Sequence, residues 1–250
     1  MLLMINVHRS RMADLLSGAD IIYSGGAVPR FYEDRYGNIC TRLLAPAGRL
    51  VITADFTIAD SGVPDPVVWD AVQHDVADLP DDVLTFLMGS RYCETDRLSD
   101  TAWSLFGHIE PGWPRVQAIA DFVHHHIRFD YQRARSTRTA WEAYQEREGV
   151  CRDFAHLALT FCRCMNIPAR YCTGYLGDIG VPASPDPMDF SGWFEAYLGG
   201  RWYTFDARHN TPRVGRVLMA VGRDATDVAI SNSFGRAALS GFKVITEEVT

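Results

Sequence analysis

Lysine is almost missing from this 250-residue chain: Lys243 is the only one, and arginine supplies every other basic side chain. Acidic residues outnumber basic ones, giving a net charge of −7 and an isoelectric point near 5.6. Polyanion binding depends on clustered Lys and Arg, so this balance argues against a general nucleic-acid or anionic-membrane surface. No segment approaches the roughly 20 consecutive apolar residues of a membrane span. Residues 1–7 are apolar, but too short and without the charged n-region of a secretory leader. The six cysteines (Cys40, Cys93, Cys151, Cys162, Cys164 and Cys172) lack the C-x-x-C spacing of redox or zinc motifs, so reduced thiols and a cytoplasmic location are expected. A phosphate cradle is lacking too, because Gly174-Tyr175-Leu176-Gly177-Asp178-Ile179-Gly180 leads into Val181-Pro182-Ala183-Ser184-Pro185 rather than into a helix. His124-His125-His126 would stand about 100° apart on a helix and cannot converge on one ion. Neither a cofactor nor a metal is therefore expected.

What the chain does contain is enough apolar sequence, 47% against 22% charged, for one large or two small domains. Residues 27–32, 39–44 and 50–58 carry β-branched and aromatic residues between turn signals, which predicts a small antiparallel sheet. Gly62-Val63-Pro64-Asp65-Pro66 marks a boundary, followed by short helices over 80–88 and 100–106. A longer helix is predicted over 114–128, where Val116, Ile119, Ala120, Val123 and Ile127 recur at helical spacing. Thr139-Ala140-Trp141-Glu142 is a capping box that opens another. The division expected is residues 1–62 as a β-rich region, 63–110 as a helical connector and 111–250 as the core domain.

Residues 151–165 contain no Gly or Pro and are apolar nearly all round, which predicts a buried helix with Cys151 in its first turn. Unpaired N–H groups and the positive end of the helix dipole lower a thiol pKa there, so Cys151 reads as a nucleophile; the alternative is a buried structural thiol. Strands follow over 169–175, 190–197 and 201–205, the last two joined by Gly199-Gly200, and Asp206 closes the last strand. Trp193 and Trp202 are expected to pack this hairpin. The loop through Asp189 reads either as one wall of a groove beside the thiol or as a solvated connector.

Helix with cysteine first, then a W-x-E strand (Trp193-Phe194-Glu195), then W-x-x-F-D (Trp202-Tyr203-Thr204-Phe205-Asp206): this order resembles the transglutaminase-like superfamily of papain-type thiol enzymes. Cys151-Arg152-Asp153-Phe154-Ala155-His156 and Ile167-Pro168-Ala169-Arg170-Tyr171 resemble its bacterial cysteine-protease branch. The resemblance spans roughly residues 111–250 and, more loosely, the N-terminal half. It implies an α+β fold, a papain-like core of one Cys-bearing helix on an antiparallel sheet, preceded by a small antiparallel β-domain. Beside those relatives, Met1-Leu2-Leu3-Met4 is expected to begin after that domain's first strand. The implied chemistry is acyl transfer or hydrolysis at a peptide or carboxamide through a Cys151 thioester, with Asp206 orienting the base.

One piece departs from the family pattern. Where H-A-W places the general base, this chain reads Ser191-Gly192-Trp193, and a hydroxyl does not accept a proton near neutral pH. The substitutes open are His209, close after Asp206; His156, about 140° around the helix from Cys151; a water held by Ser191; or no base at all. Catalytic candidates are therefore Cys151, Asp206, Ser191 and His209. A chain with one lysine would hardly crosslink itself; the resemblance to bacterial cysteine proteases and amidases implies hydrolysis rather than crosslinking, and a protein or peptide substrate is expected. The rival expectation is a catalytically impaired binding module that keeps the fold. No nucleic-acid or membrane partner is expected, and the oligomeric state is open.

Overall fold

The computed structural model describes residues 1–18, 20–184 and 188–249. Two four-stranded antiparallel sheets and four helices make its frame. The strands used below are β1 (Leu2–Leu3), β2 (Arg30–Glu33), β3 (Ile39–Arg42), β4 (Ala169–Leu176), β5 (Ser191–Leu198), β6 (Arg201–Phe205), β7 (Arg216–Gly222) and β8 (Ser231–Asn232). The helices are α1 (Thr95–Phe106), α2 (Trp113–His126), α3 (Ala140–Glu146) and α4 (Cys151–Cys164). The core sheet has the order β6-β5-β4-β7, and the N-terminal sheet β8-β1-β3-β2. This is the expected α+β architecture.

Helix α4 is the centre of the core. Every residue from Asp153 to Cys164 is buried, because α1, α2 and α3 cover one side and β4 and β5 the other. Phe161 shows what an all-round apolar helix gains: its ring meets Phe106, Phe122 and Tyr144 at 5.4, 5.9 and 6.0 Å. Arg163, buried in the same helix, is solvated by protein alone. It donates to the carbonyls of Ala169 and Met88, to Ser90 Oγ and to the Arg223 carbonyl, tying three segments to the helix.

Several elements differ from the expectation. The segment 80–88 holds only a 3-10 turn at Leu84–Leu87, too short to supply the hydrogen bonds that stabilise an α-helical nucleus. The helix expected from residue 100 starts earlier, at Thr95. β7 was not anticipated, since Arg216 to Gly222 is a short apolar run without period-2 alternation. Neither was β8, whose two exposed residues leave no pattern to read. Leu2–Leu3 forms an inner strand between β8 and β3, so the C-terminal stretch crosses back to the N-terminal sheet. Asn38 joins the two sheets: its side-chain amide donates to Val221 O and accepts from Val221 N–H, both at 2.8 Å, which closes the outer edge of β7. Among the described residues no helix is long and apolar enough to cross a membrane.

Truncating Phe161 to alanine removes these ring contacts from a fully buried position. It is expected to cost about 3–5 kcal/mol, read as a lower urea midpoint with an unchanged slope.

Candidate active site

Local constraints fix the start of α4. The short strand Glu148–Gly149 pairs in parallel with Arg128–Phe129, and Asp130 N–H donates to Gly149 O at 3.0 Å. Asp153 then folds back: its Oδ2 accepts Val150 N–H and an Arg138 donor, each at 3.0 Å, and its Oδ1 accepts Arg152 at 3.1 Å. A Cβ on residue 149 would stand 2.6 Å from Asp153 Oδ2, so the glycine two places before the thiol is required by this return. Cys151 is thereby the first helical residue and stays partly exposed, whereas the helix behind it is buried.

Strand β5 passes directly over this helix start. A Cβ at residue 192 would collide with the Tyr171 hydroxyl and lie 3.5 Å from Arg152 Cα, so glycine in place of the family's alanine lets Tyr171 reach up beside the thiol. By strand alternation Gly192 and Phe194 turn toward α4, while Ser191 and Trp193 turn to the opposite face. There the Arg216 guanidinium covers the Trp193 ring at 5.0 Å. Ser191 is buried and its Oγ has no hydrogen-bond partner among the described residues.

Dense surroundings reverse one expectation. Burial pushes the Cys151 thiol above its ordinary value, against the pull of the Arg208 guanidinium and the Gly192 N–H, and the Asp189 and Asp206 carboxylates add to the rise. The helix start alone suggested a lowered value; desolvation outweighs it here, so the resting thiol is protonated near neutral pH.

Asp206 ends β6 fully inside the protein. Its Oδ2 accepts His209 Nδ1 and Arg216 Nη2, both at 2.8 Å, and its Oδ1 accepts the backbone N–H groups of Arg208 and His209 at 3.1 and 3.2 Å. Burial works against the charge, but the Arg216 guanidinium and the His209 contact overcome it and hold the carboxyl far below its usual range. With Nδ1 donating to the carboxylate, His209 Nε2 is the free acceptor. Asp206 and His209 are thus brought together, and the thiol feels both Asp206 and the neighbouring Arg208. Among the described residues Cys151 Sγ makes no hydrogen bond to an imidazole.

The other histidines that the sequence singled out are occupied elsewhere. His156 is buried between the rings of Tyr92 and Tyr171 at 5.0 and 4.9 Å, accepts Ala225 N–H, and has its pKa pushed down to about 3 by burial. His124 Nδ1 lies 3.1 and 3.0 Å from the carbonyls of Ala207 and Arg208, His125 bonds Asp121 O, and His126 bonds Tyr144 O. The histidine row therefore includes a support for the Asp206–His209 turn, a role the 100° spacing could not suggest. The same turn is clamped further on, where Asn210, left-handed at φ 52°, donates to Asp206 O and to Asp121 Oδ1 and accepts from Gln117. Arg216 had no sequence signal, because its partners Asp206 and Asp65 are joined to it only in space. Of the loop expected to flank a groove, residues 185–187 lie outside the described residues; Asp189 carries charge felt by the thiol.

Comparison with known proteins agrees with this geometry. The pattern of the Transglutaminase-like superfamily matches residues 104–207. The crystal structure of a putative cysteine protease from Cytophaga hutchinsonii is 32% identical with a TM-score of 0.78, over 95% of this chain and 80% of that one. An uncharacterized Mycobacterium leprae protein is 38% identical over 92 residues, 35% of this chain and 32% of its own. One from Mycobacterium tuberculosis is 31% identical over 160 residues, 58% of this chain and 49% of its own. The chain thus spans from a third to a half of the length of these curated relatives. It belongs to the transglutaminase-like superfamily, a family of thiol enzymes built on this helix and sheet.

Asp206 also makes a pH prediction. A carboxyl held below its ordinary value of about 3.9 contributes stability that is complete above that value and is lost as pH falls below it toward the folded value. Asp206→Asn is expected to cost about 3–5 kcal/mol at pH 7, and the gap between the two proteins should narrow below about pH 4. Urea midpoints measured from pH 7 to pH 2 test both statements.

Proposed function

We propose that this chain hydrolyses amide or peptide bonds through a Cys151 thioester, with His209 as the general base in place of the residue usually found at position 191. The observation that carries this reading is the 2.8 Å bond from His209 Nδ1 to Asp206. It sets the tautomer that leaves Nε2 ready to accept a proton, the same logic as in serine and cysteine triads. Because burial keeps the resting thiol protonated, the base has to take the Sγ proton as sulfur attacks the carbonyl carbon. His209 then returns that proton to the leaving amine, the C–N bond breaks, and a thioester remains. Water, deprotonated by His209, opens the thioester, releasing the acid and restoring the thiol. The proposed oxyanion donor is the Cys151 N–H at the start of the helix, while the Gly192 N–H lies against the sulfur. Arg216 keeps Asp206 ionised through the cycle. The substrate class proposed is peptide or protein, and hydrolysis rather than transamidation.

A second reading, a non-catalytic binding module, is favoured by the unpartnered Ser191 Oγ and the raised thiol. Turnover separates the two. On an internally quenched peptide library, Cys151→Ala should abolish cleavage, and His209→Ala should lower kcat by about 10²–10⁴. Ser191→Ala should stay within a few fold of the parent. A large loss in Ser191→Ala with none in His209→Ala would move the base, and an inactive parent whose Cys151 forms no hydroxylamine-trappable acyl adduct would leave the binding reading standing.

A further inference from the structure

The arginines around Cys151 are engaged, with one exception. Arg138 pairs with Asp153 and Glu146, Arg152 with Asp153 and the carbonyls of Arg135 and Ser136, and Arg216 with Asp206 and Asp65. The Arg208 guanidinium forms no ion pair and no hydrogen bond among the described residues. Its backbone, by contrast, is held at both ends: the N–H donates to Asp206 Oδ1 and the carbonyl accepts from His124. Its side chain lies over the Phe129 ring, 3.9 Å from the centroid. Phe129 is paired with Gly149, two residues before the thiol, and its ring stands 6.4 Å from Phe154, three residues after it. Stacking on an aromatic face fixes a guanidinium in place while leaving its N–H fork free to bind an anion. Arg208 and Cys151 are both partly exposed, so solvent and ligand reach them together. Of the two carboxylates that the thiol feels, Asp206 is taken by Arg216 and His209, and Asp189 senses the Arg208 charge without forming an ion pair.

An unpaired arginine, pinned beside a nucleophile in a chain rich in carboxylates, is built to receive an anion from outside. We propose that Arg208 binds a carboxylate of the substrate, so that the site takes peptides or amides bearing a negative charge close to the carbonyl that Cys151 attacks. The inference rests on the proposed reading of Cys151 as the nucleophile that attacks that carbonyl. The carboxylate can be an acidic side chain or a free chain terminus.

Alkylation tests this without requiring turnover. Iodoacetate and iodoacetamide attack the same thiolate and differ in a carboxylate against a carboxamide, so any change in the thiol itself cancels in the ratio of their rates at Cys151. In Arg208→Gln the iodoacetate-to-iodoacetamide ratio is expected to fall about two- to fivefold, as for a partly exposed charge pair, and Arg208→Lys should recover part of it. Added salt should lower the parent's ratio and leave that of Arg208→Gln unchanged. An unchanged ratio in Arg208→Gln would overturn the proposal. Glu- and Gln-containing peptides, each as free acid and as C-terminal amide, are then tested for protecting Cys151 from iodoacetamide. Protection by Glu peptides whatever their terminus assigns an acidic side chain, and protection by free acids alone assigns the terminus. Protection by none of them, or equal protection by neutral amidated peptides, would also overturn it. A normal ratio response in a protein that cleaves no peptide would count against the hydrolase reading while leaving the carboxylate site in place.

Discussion

The burial of α4 is the constraint from which the rest follows. A helix apolar on all sides has no face to give to water, so it must be wrapped, and the three other helices and the core sheet are arranged to do that. Only its first two residues, Cys151 and Arg152, escape full burial, at the end of the helix that β5 crosses. The position of Cys151 is therefore a product of the fold's deepest packing. An otherwise enclosed helix thus holds one thiol at its partly exposed start, with the backbone N–H groups of its first turn beside it.

Around that point the protein relies on buried ions in pairs. Asp153 with Arg138 anchors the helix start, and Asp206 with Arg216 anchors the end of β6. Each carboxylate also accepts backbone N–H groups, so every buried charge is met by more than its counter-ion. The two anchors lie on different elements and set the geometry of Cys151 and His209 independently. Outside them, α2 braces the 206–210 turn through Gln117, Asp121 and His124. The result is a histidine held on a turn of four residues by its Nδ1 bond to Asp206.

Ser191 and Trp193 turn to the face that holds Arg216, and the small hydroxyl leaves that face to the guanidinium lying over Trp193. On the opposite face Gly192 admits the Tyr171 hydroxyl. Serine and Arg216 thus shape one face of the sheet and glycine the other, with the Asp206–His209 pair on the adjoining turn.

Much of this was legible in the residues. An uninterrupted apolar run with cysteine first predicts α4, a Gly-Gly turn between aromatic strands predicts the β5–β6 hairpin, and Thr139 with Glu142 forms the capping box that its spacing announces. These are local features, set by periodicity and turn chemistry within about a dozen residues. The thiol's raised pKa, the pairing of Asp206 with Arg216, the return of β8 to β1 and the bracing of the turn by α2 were not legible. Each depends on groups that lie far apart along the chain and meet only when the sheets close. By itself the sequence determined which residues could carry the chemistry: a helix-opening thiol, a strand-ending carboxylate and a histidine three residues on. The tertiary structure decided their electrostatics and their partners, because burial and ion pairing are properties of the packed whole rather than of any segment.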